Sequence, residues 1–305
     1  MGVGEMLFLL LAIVSSSSVA LLFKYSELKR MNHYQVIMLN YLTAAAVSFV
    51  MIQFDTVPLF VPCTQPLQAL VGNFTGNLTD EGSFVAAVLL GILAGVLYFM
   101  SLYLYPRSIR QTGAALTGMA DRLGTIVPLV VSVVVWNEIP LPLQWVGIVL
   151  LLLAMLLVNV DFSHPQKSTV KFCLLWIVLV SGAGNFANKL FQKYALLEYK
   201  NHFLLFLYFT AFLVSAVLFI KNRSEGFSLK GVLVSICVGV PNCFSAFFLL
   251  LALSQMPAAI AYPVYSAGGI TLLMILSFVF YHEKFKPNEA IAVALTIAGL
   301  VLVNL

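Results

Sequence analysis

The chain has 305 residues, of which 61% are hydrophobic and 9% charged, with a mean hydropathy of +1.01 and a net charge of +4. A soluble domain carries about 25% charged residues. Composition therefore excludes an ordinary soluble domain, and the small, scattered positive charge leaves no footprint for nucleic acid. The pattern is that of an all-α polytopic membrane protein, with the lipid bilayer as its first partner.

A helix needs about 20 apolar residues to cross a bilayer. In chain order the apolar runs predict ten transmembrane helices, at 6–23, 33–53, 83–104, 112–136, 142–160, 171–190, 202–220, 230–253, 257–280 and 287–305. The first run lacks a basic n-region and a small-residue cleavage site, so it is expected to remain as a span. Its serines, Ser15 to Ser18, fit close helix packing more readily than a ligand site. One connection is long, at 54–82. It holds Pro58, Pro62 and Pro66 and two glycosylation patterns, at Asn73 and Asn77. The short connections carry nearly all the charge. Cys63, Cys173, Cys237 and Cys243 show neither CxxC nor Cys/His metal spacing, and no metal or cofactor site is expected.

Orientation follows from basic residues in short loops. The loops joining spans 1–2, 3–4, 5–6, 7–8 and 9–10 share one side and hold 12 of the 16 Lys and Arg. The other side, with both termini, holds Lys189, Lys193 and Lys200. The expectation is a plasma (bacterial cytoplasmic) membrane protein with both termini outside and the acidic 54–82 loop on that outer face.

The chain also repeats itself. A shift of 169 places Phe23-Lys24-Tyr25 on Gln192-Lys193-Tyr194 and Asn32-His33 on Asn201-His202. A shift of 145 places Gly124 on Gly269, Ser132 on Ser277, Glu138 on Glu283 and Pro142 on Pro287. The difference between the shifts is extra length in the 54–82 loop. Residues 1–160 and 161–305 then form two five-span repeats. Five is odd, so the second copy enters the membrane inverted, as in many secondary transporters, where the substrate lies near the midplane between two halves.

The last two spans of each copy, "PLVVSVVVWNEIPLPLQWVGIVLLLLAMLLVN" and "LLMILSFVFYHEKFKPNEAIAVALTIAGLVLVN", carry a glutamate in the turn between them. This resembles the EamA domain of the drug/metabolite transporter superfamily. Glu138, Gln144, Trp145 and Gly147 match its turn glutamate and Gln-Trp-x-Gly. In the second copy Glu283 alone matches, with Ala290 and Ala292 replacing Trp and Gly. The resemblance implies a ten-helix permease for a small solute such as an amino acid, nucleotide sugar, sugar phosphate, purine or drug.

Charge inside a span is expensive and marks function by default. Asp121 and Arg122 are adjacent in span 4, where neighbours diverge by about 100° and cannot pair well with each other. Arg122 suits the anionic group of a substrate. Asp121 suits a substrate amine or a coupling proton. The competing reading is that each locks helices together through partners on other spans. Tyr262 and Tyr265 lie in the Pro/Gly-interrupted stretch "AYPVYSAGGI", whose freed backbone groups must face a cavity or protein. Asn242 follows the helix-kinking Pro241. Asn185 lies four residues before Lys189, which either snorkels to the interface or joins the site. Tyr98 is a further candidate in span 3. Helix packing competes with substrate contact at each of these. Glu138 is expected to cap the helix that follows it.

No Walker, HExxH or GxSxG pattern occurs, and His33, His164, His202 and His282 lie in or beside loops. An intramembrane enzyme is the least favoured function, and a non-transporting scaffold or receptor the runner-up to a secondary transporter of a small polar metabolite.

Overall fold

The computed structural model describes residues 3–62, 78–112, 117, 120–121, 123–159, 172–221, 227–281 and 287–304. Among them stand ten α-helices and no strand: α1 (Val3–Leu28), α2 (His33–Gln53), α3 (Asp80–Thr112), α4 (Ile126–Trp136), α5 (Pro142–Asn159), α6 (Phe172–Tyr194), α7 (Lys200–Lys221), α8 (Leu229–Gln255), α9 (Ala258–Tyr281) and α10 (Pro287–Asn304). Seven are long and apolar enough to cross a membrane, and the apolar parts of α4, α5 and α10 are shorter. Arg122, Cys63, Asn73, Asn77, His164, His282 and Glu283 lie outside the described residues.

The largest departure from expectation is span 4. Instead of one helix over 112–136, the backbone turns at Gly124 and Thr125, and α4 restarts at Ile126. Glycine gains least from staying helical, and Gly124 N–H reaches only to Asp121 O, at 3.2 Å. Prolines begin both α5 and α10, where a missing N–H is not needed. Pro241 and Pro263 lie inside α8 and α9, which continue through them.

The chain divides into two compact units. Unit 1 comprises residues 1–17, 100–186 and 255–305, and unit 2 comprises 18–99 and 187–254. In unit 1, α5 packs along α10, and α9 packs on α4, α5 and α10. Gly147 and Gly299 bring the α5 and α10 backbones together: a Cβ on Gly147 falls 2.9 Å from Gly299 O, and one on Gly299 falls 3.0 Å from Gly147 O. Each helix start reaches the other's end. Gln144 Nε2 donates to Val303 O (3.3 Å) and Asn288 Nδ2 to Leu157 O (3.0 Å), so the pair is antiparallel. From Ala258 to Thr271, α9 is buried all round except at Tyr265.

In unit 2, α2 packs along α7. The Tyr41 and Tyr208 rings lie 6.3 Å apart at their centre. Helix α3 joins them through the small-xxx-small stretch "GILAG". A Cβ on Gly91 would fall 2.8 Å from Phe203 O, so α3 lies directly on the α7 backbone. The ends of the long connection are tied to the α6–α7 junction. Asn201 donates to Asp55 (2.7 Å), His202 Nε2 lies 3.1 Å from Pro58 O, and Leu78 N–H donates to Tyr194 O (2.9 Å).

Candidate functional site

Asp121 sits half-buried just before the break in span 4. Its main-chain oxygen accepts the Ser181 hydroxyl from α6 at 3.0 Å. Its carboxylate lies 3.5 Å from the Ser101 hydroxyl of α3, a long contact that leaves most of its acceptor capacity for another group among the described residues. The break can approach α6 because both sides are small. A Cβ on Gly124 would fall 2.8 Å from Gly182 N, and one on Gly182 would fall 3.1 Å from Gly124 O.

One turn along α6, Asn185 donates to Ser181 O at 3.0 Å, and its own main-chain oxygen accepts the Tyr262 hydroxyl at 2.6 Å. Tyr262 is fully buried and Tyr265 half-buried on the same helix, α9. Ser266 Oγ, also buried, has no hydrogen-bond partner among the described residues, although a hydroxyl in an apolar setting gains from one. The 145-residue shift lays this serine on Asp121. Unit 1 thus gathers Asp121, Asn185 and Tyr262 around α6, with Tyr265 one turn further along α9.

Tyr98 and Asn242 belong to unit 2. Asn188 Nδ2 donates to the Tyr98 hydroxyl at 2.9 Å, and Asn188 Oδ1 is buried with no hydrogen-bond partner among the described residues. Asn242 Nδ2 donates to Asn40 Oδ1 at 3.1 Å, and Tyr208 donates to Asn242 O at 2.8 Å. Asn40 Nδ2 is buried with no hydrogen-bond partner among the described residues. Tyr98 and Asn242 are thus each held by an asparagine, Asn188 and Asn40 respectively. Their spacing carries no signal of its own; only the fold pairs them.

Two expectations change. Lys189 does not snorkel. It is buried, and its ammonium donates to Gln192 at 2.9 Å. Glu138 does not cap the helix that follows it. Its Oε2 accepts the Ser132 hydroxyl and the Ala258 N–H (3.1 Å), so it caps α9, far along the chain. The α5 start is capped instead by Gln144, which accepts the Leu141 N–H at 3.0 Å.

Long apolar helices carrying a few buried polar side chains define a polytopic membrane protein. A model of the EamA-like transporter family matches residues 3–160, about half the chain, and the chain belongs to that family. A second model, described as Small Multidrug Resistance protein, matches 201–296. Among curated proteins, the multidrug transporter EmrE of Escherichia coli (strain K12) is 37% identical over 70 residues, covering 22% of this chain and 64% of EmrE. The uncharacterized membrane protein YvaE of Bacillus subtilis (strain 168) is 39% identical over 61 residues, 20% of this chain and 51% of YvaE. The chain thus spans between half and two thirds of the length of these two relatives. A crystal structure with a TM-score of 0.70 and 15% identity covers 99% of this chain and 96% of its own, a likeness of fold.

Proposed function

We propose that this protein is a secondary transporter that moves a small organic solute by alternating access between two inverted repeats, 1–160 and 161–305, with Asp121 meeting the solute's ammonium group or carrying a coupling proton. The observation that carries this reading is the Asp121 carboxylate at a helix break, half-buried and met among the described residues by one long contact. A span retains such a group when it has a task. The spans that the repeat superposes pair antiparallel, α5 with α10 through Gln144–Val303 and Asn288–Leu157, and α2 with α7 through Asn201 at the α7 start and Asp55 just past the α2 end, which supports the inverted architecture. In this reading Asn185, Tyr262 and Tyr265, beside Asp121 in unit 1, contact the solute, and Arg122 takes an anionic group where the solute has one; Tyr98 and Asn242 are a separate candidate set within unit 2. The printed name of EmrE, a multidrug transporter, favours solutes with a drug-like apolar body over small sugars.

A thermal-shift screen of organic amines, amino acids and phosphorylated metabolites tests the reading. A solute at 100 times its Kd stabilises by about 2.7 kcal/mol. Asp121→Asn is expected to abolish the shift for amines and Arg122→Ala the shift for anions. Hits retained by both variants contradict the assignment.

The same reading places the chain in the plasma membrane with both termini outside. Thr79→Cys, at the start of α3, is then labelled in intact cells by an impermeant thiol reagent; protection there reverses the orientation.

A further inference from the structure

A cavity of about 450 Å³ lies in unit 2 where α1 ends and α8 begins, on the side whose loops carry most of the basic residues. Among the described residues three cations line it, Lys29, Arg30 and Lys230, with no acidic side chain. Tyr25, Phe227 and Met31 give it aromatic and apolar wall on two sides, and Asn32 and Ser228 complete the lining.

The walls are built rather than incidental. Helix α1 closes with Met31 N–H donating to Ser26 O (3.0 Å) and Arg30 N–H to Glu27 O (2.9 Å), a reverse turn that puts Arg30 at φ 50°. Glycine ordinarily occupies that left-handed position, because a side chain there is strained. Arginine in its place holds a cation at the cavity edge. On the other side, buried Gln35 of α2 grips the start of α8. Its Nε2 donates to Ser228 O at 2.7 Å and its Oε1 accepts Ser228 N–H at 3.0 Å. Asn32 accepts the Gln35 N–H at 3.1 Å and fixes the base of that grip. Two bonds from one amide hold the Phe227–Lys230 wall against α2.

Three like charges around one concavity repel each other and lower the free energy of an anion that enters. Arginine and lysine together suit phosphate oxygens. We propose that this cavity is a binding site for a phosphate monoester or diester that carries an apolar group, with Lys29, Arg30 and Lys230 on the phosphate and Tyr25 and Phe227 against the apolar part. An anionic lipid headgroup and a soluble phosphate ester share this chemistry. The site is independent of the solute-transport reading.

Native mass spectrometry and thermal unfolding of the purified full-length protein test it, with phosphatidylglycerol, phosphatidylcholine and glycerol 3-phosphate as probes. Arg30→Gly is the first variant, since it removes the guanidinium while relieving the turn, so loss of binding cannot be loss of fold. A Lys29→Ala/Arg30→Gly/Lys230→Ala protein is the second, and a charge-matched Lys24→Ala/Lys193→Ala/Lys221→Ala protein the control. Binding of phosphatidylglycerol should weaken about fivefold in the single variant and about 100-fold in the triple variant, at roughly fivefold per cation. The control should stay within about threefold. Glycerol 3-phosphate binding with the same dependence identifies a soluble ester as ligand, and binding of phosphatidylglycerol alone identifies the headgroup; both support the site. Equal loss in the control and the triple variant, or no preference for either net-anionic probe over zwitterionic phosphatidylcholine, overturns it.

Discussion

In unit 1 the Ser181 and Tyr262 hydroxyls donate to main-chain oxygens of Asp121 and Asn185, whereas in unit 2 Asn188 donates to the Tyr98 hydroxyl and Asn242 to the Asn40 side chain. The two arrangements serve different ends. Bonds to main-chain oxygens hold irregular backbone, and unit 1 has such backbone at Gly124 and Thr125. Among the described residues the Asp121 carboxylate is met by one long contact, from the Ser101 hydroxyl. Bonds between side chains tie helices to one another, and in unit 2 they stand beside one bond to a main-chain oxygen, from Tyr208 to Asn242 O. Among the described residues, unit 2 nevertheless leaves Asn40 Nδ2 and Asn188 Oδ1 unbonded and buried. In hydrocarbon each such group carries a penalty, so its polar cluster has hydrogen-bonding capacity beyond what packing uses.

Substitutions separate the two units by size of effect. The largest falls in unit 2, where α3 lies on the α7 backbone. Gly91→Leu drives a side chain into Phe203 O and should destabilise by about 3 kcal/mol, the upper range for overpacking, read as a lowered unfolding midpoint in detergent. A midpoint like that of the parent would mean that α3 does not depend on this contact.

Tyr262→Phe in unit 1 comes next. It strips one hydrogen bond to Asn185 O and should cost about 1 kcal/mol. A larger loss, with transport kept, would make unit 1 the structural cluster and reverse the contrast.

Asn188→Leu in unit 2 should have the smallest effect on stability, about 0.6 kcal/mol or less, since it removes one bond to Tyr98 together with one unbonded oxygen. Unchanged stability with lost transport would give the unit 2 cluster a role in solute binding. Unchanged transport would leave that role to unit 1.

Much of the fold is legible in the sequence because the bilayer demands it. Span lengths, the polar connections and Pro142 and Pro287 at helix starts all answer to one requirement, that backbone polar groups in lipid be satisfied within the helix. The predicted and observed limits of α2 agree, and those of α5 to α10 differ by a few residues. The break in span 4 was not legible, because a glycine in an apolar run fits close packing and a turn equally well. The contact of Gly124 with Gly182 decides it, and that contact spans 58 positions of sequence. The destination of Glu138 was hidden for the same reason. Its spacing suits a local cap, yet it bonds to Ala258 N–H. For the candidate site, residue type pointed to Asp121, Asn185, Tyr262, Tyr98 and Asn242. Asn40 and Asn188 carry the same signal of residue type, polar side chains in apolar runs, but only the fold pairs them with Asn242 and Tyr98.

The most direct test of the account is solute flux into proteoliposomes containing the full-length protein, with Asp121→Asn beside the parent. The side chains are nearly the same size, so insertion and the unfolding midpoint should be retained. The account predicts that flux of an amine solute falls by at least about 100-fold, the scale of an ionic contact worth about 2.7 kcal/mol. Flux equal to the parent's, at equal insertion, would contradict it and leave the carboxylate a packing group.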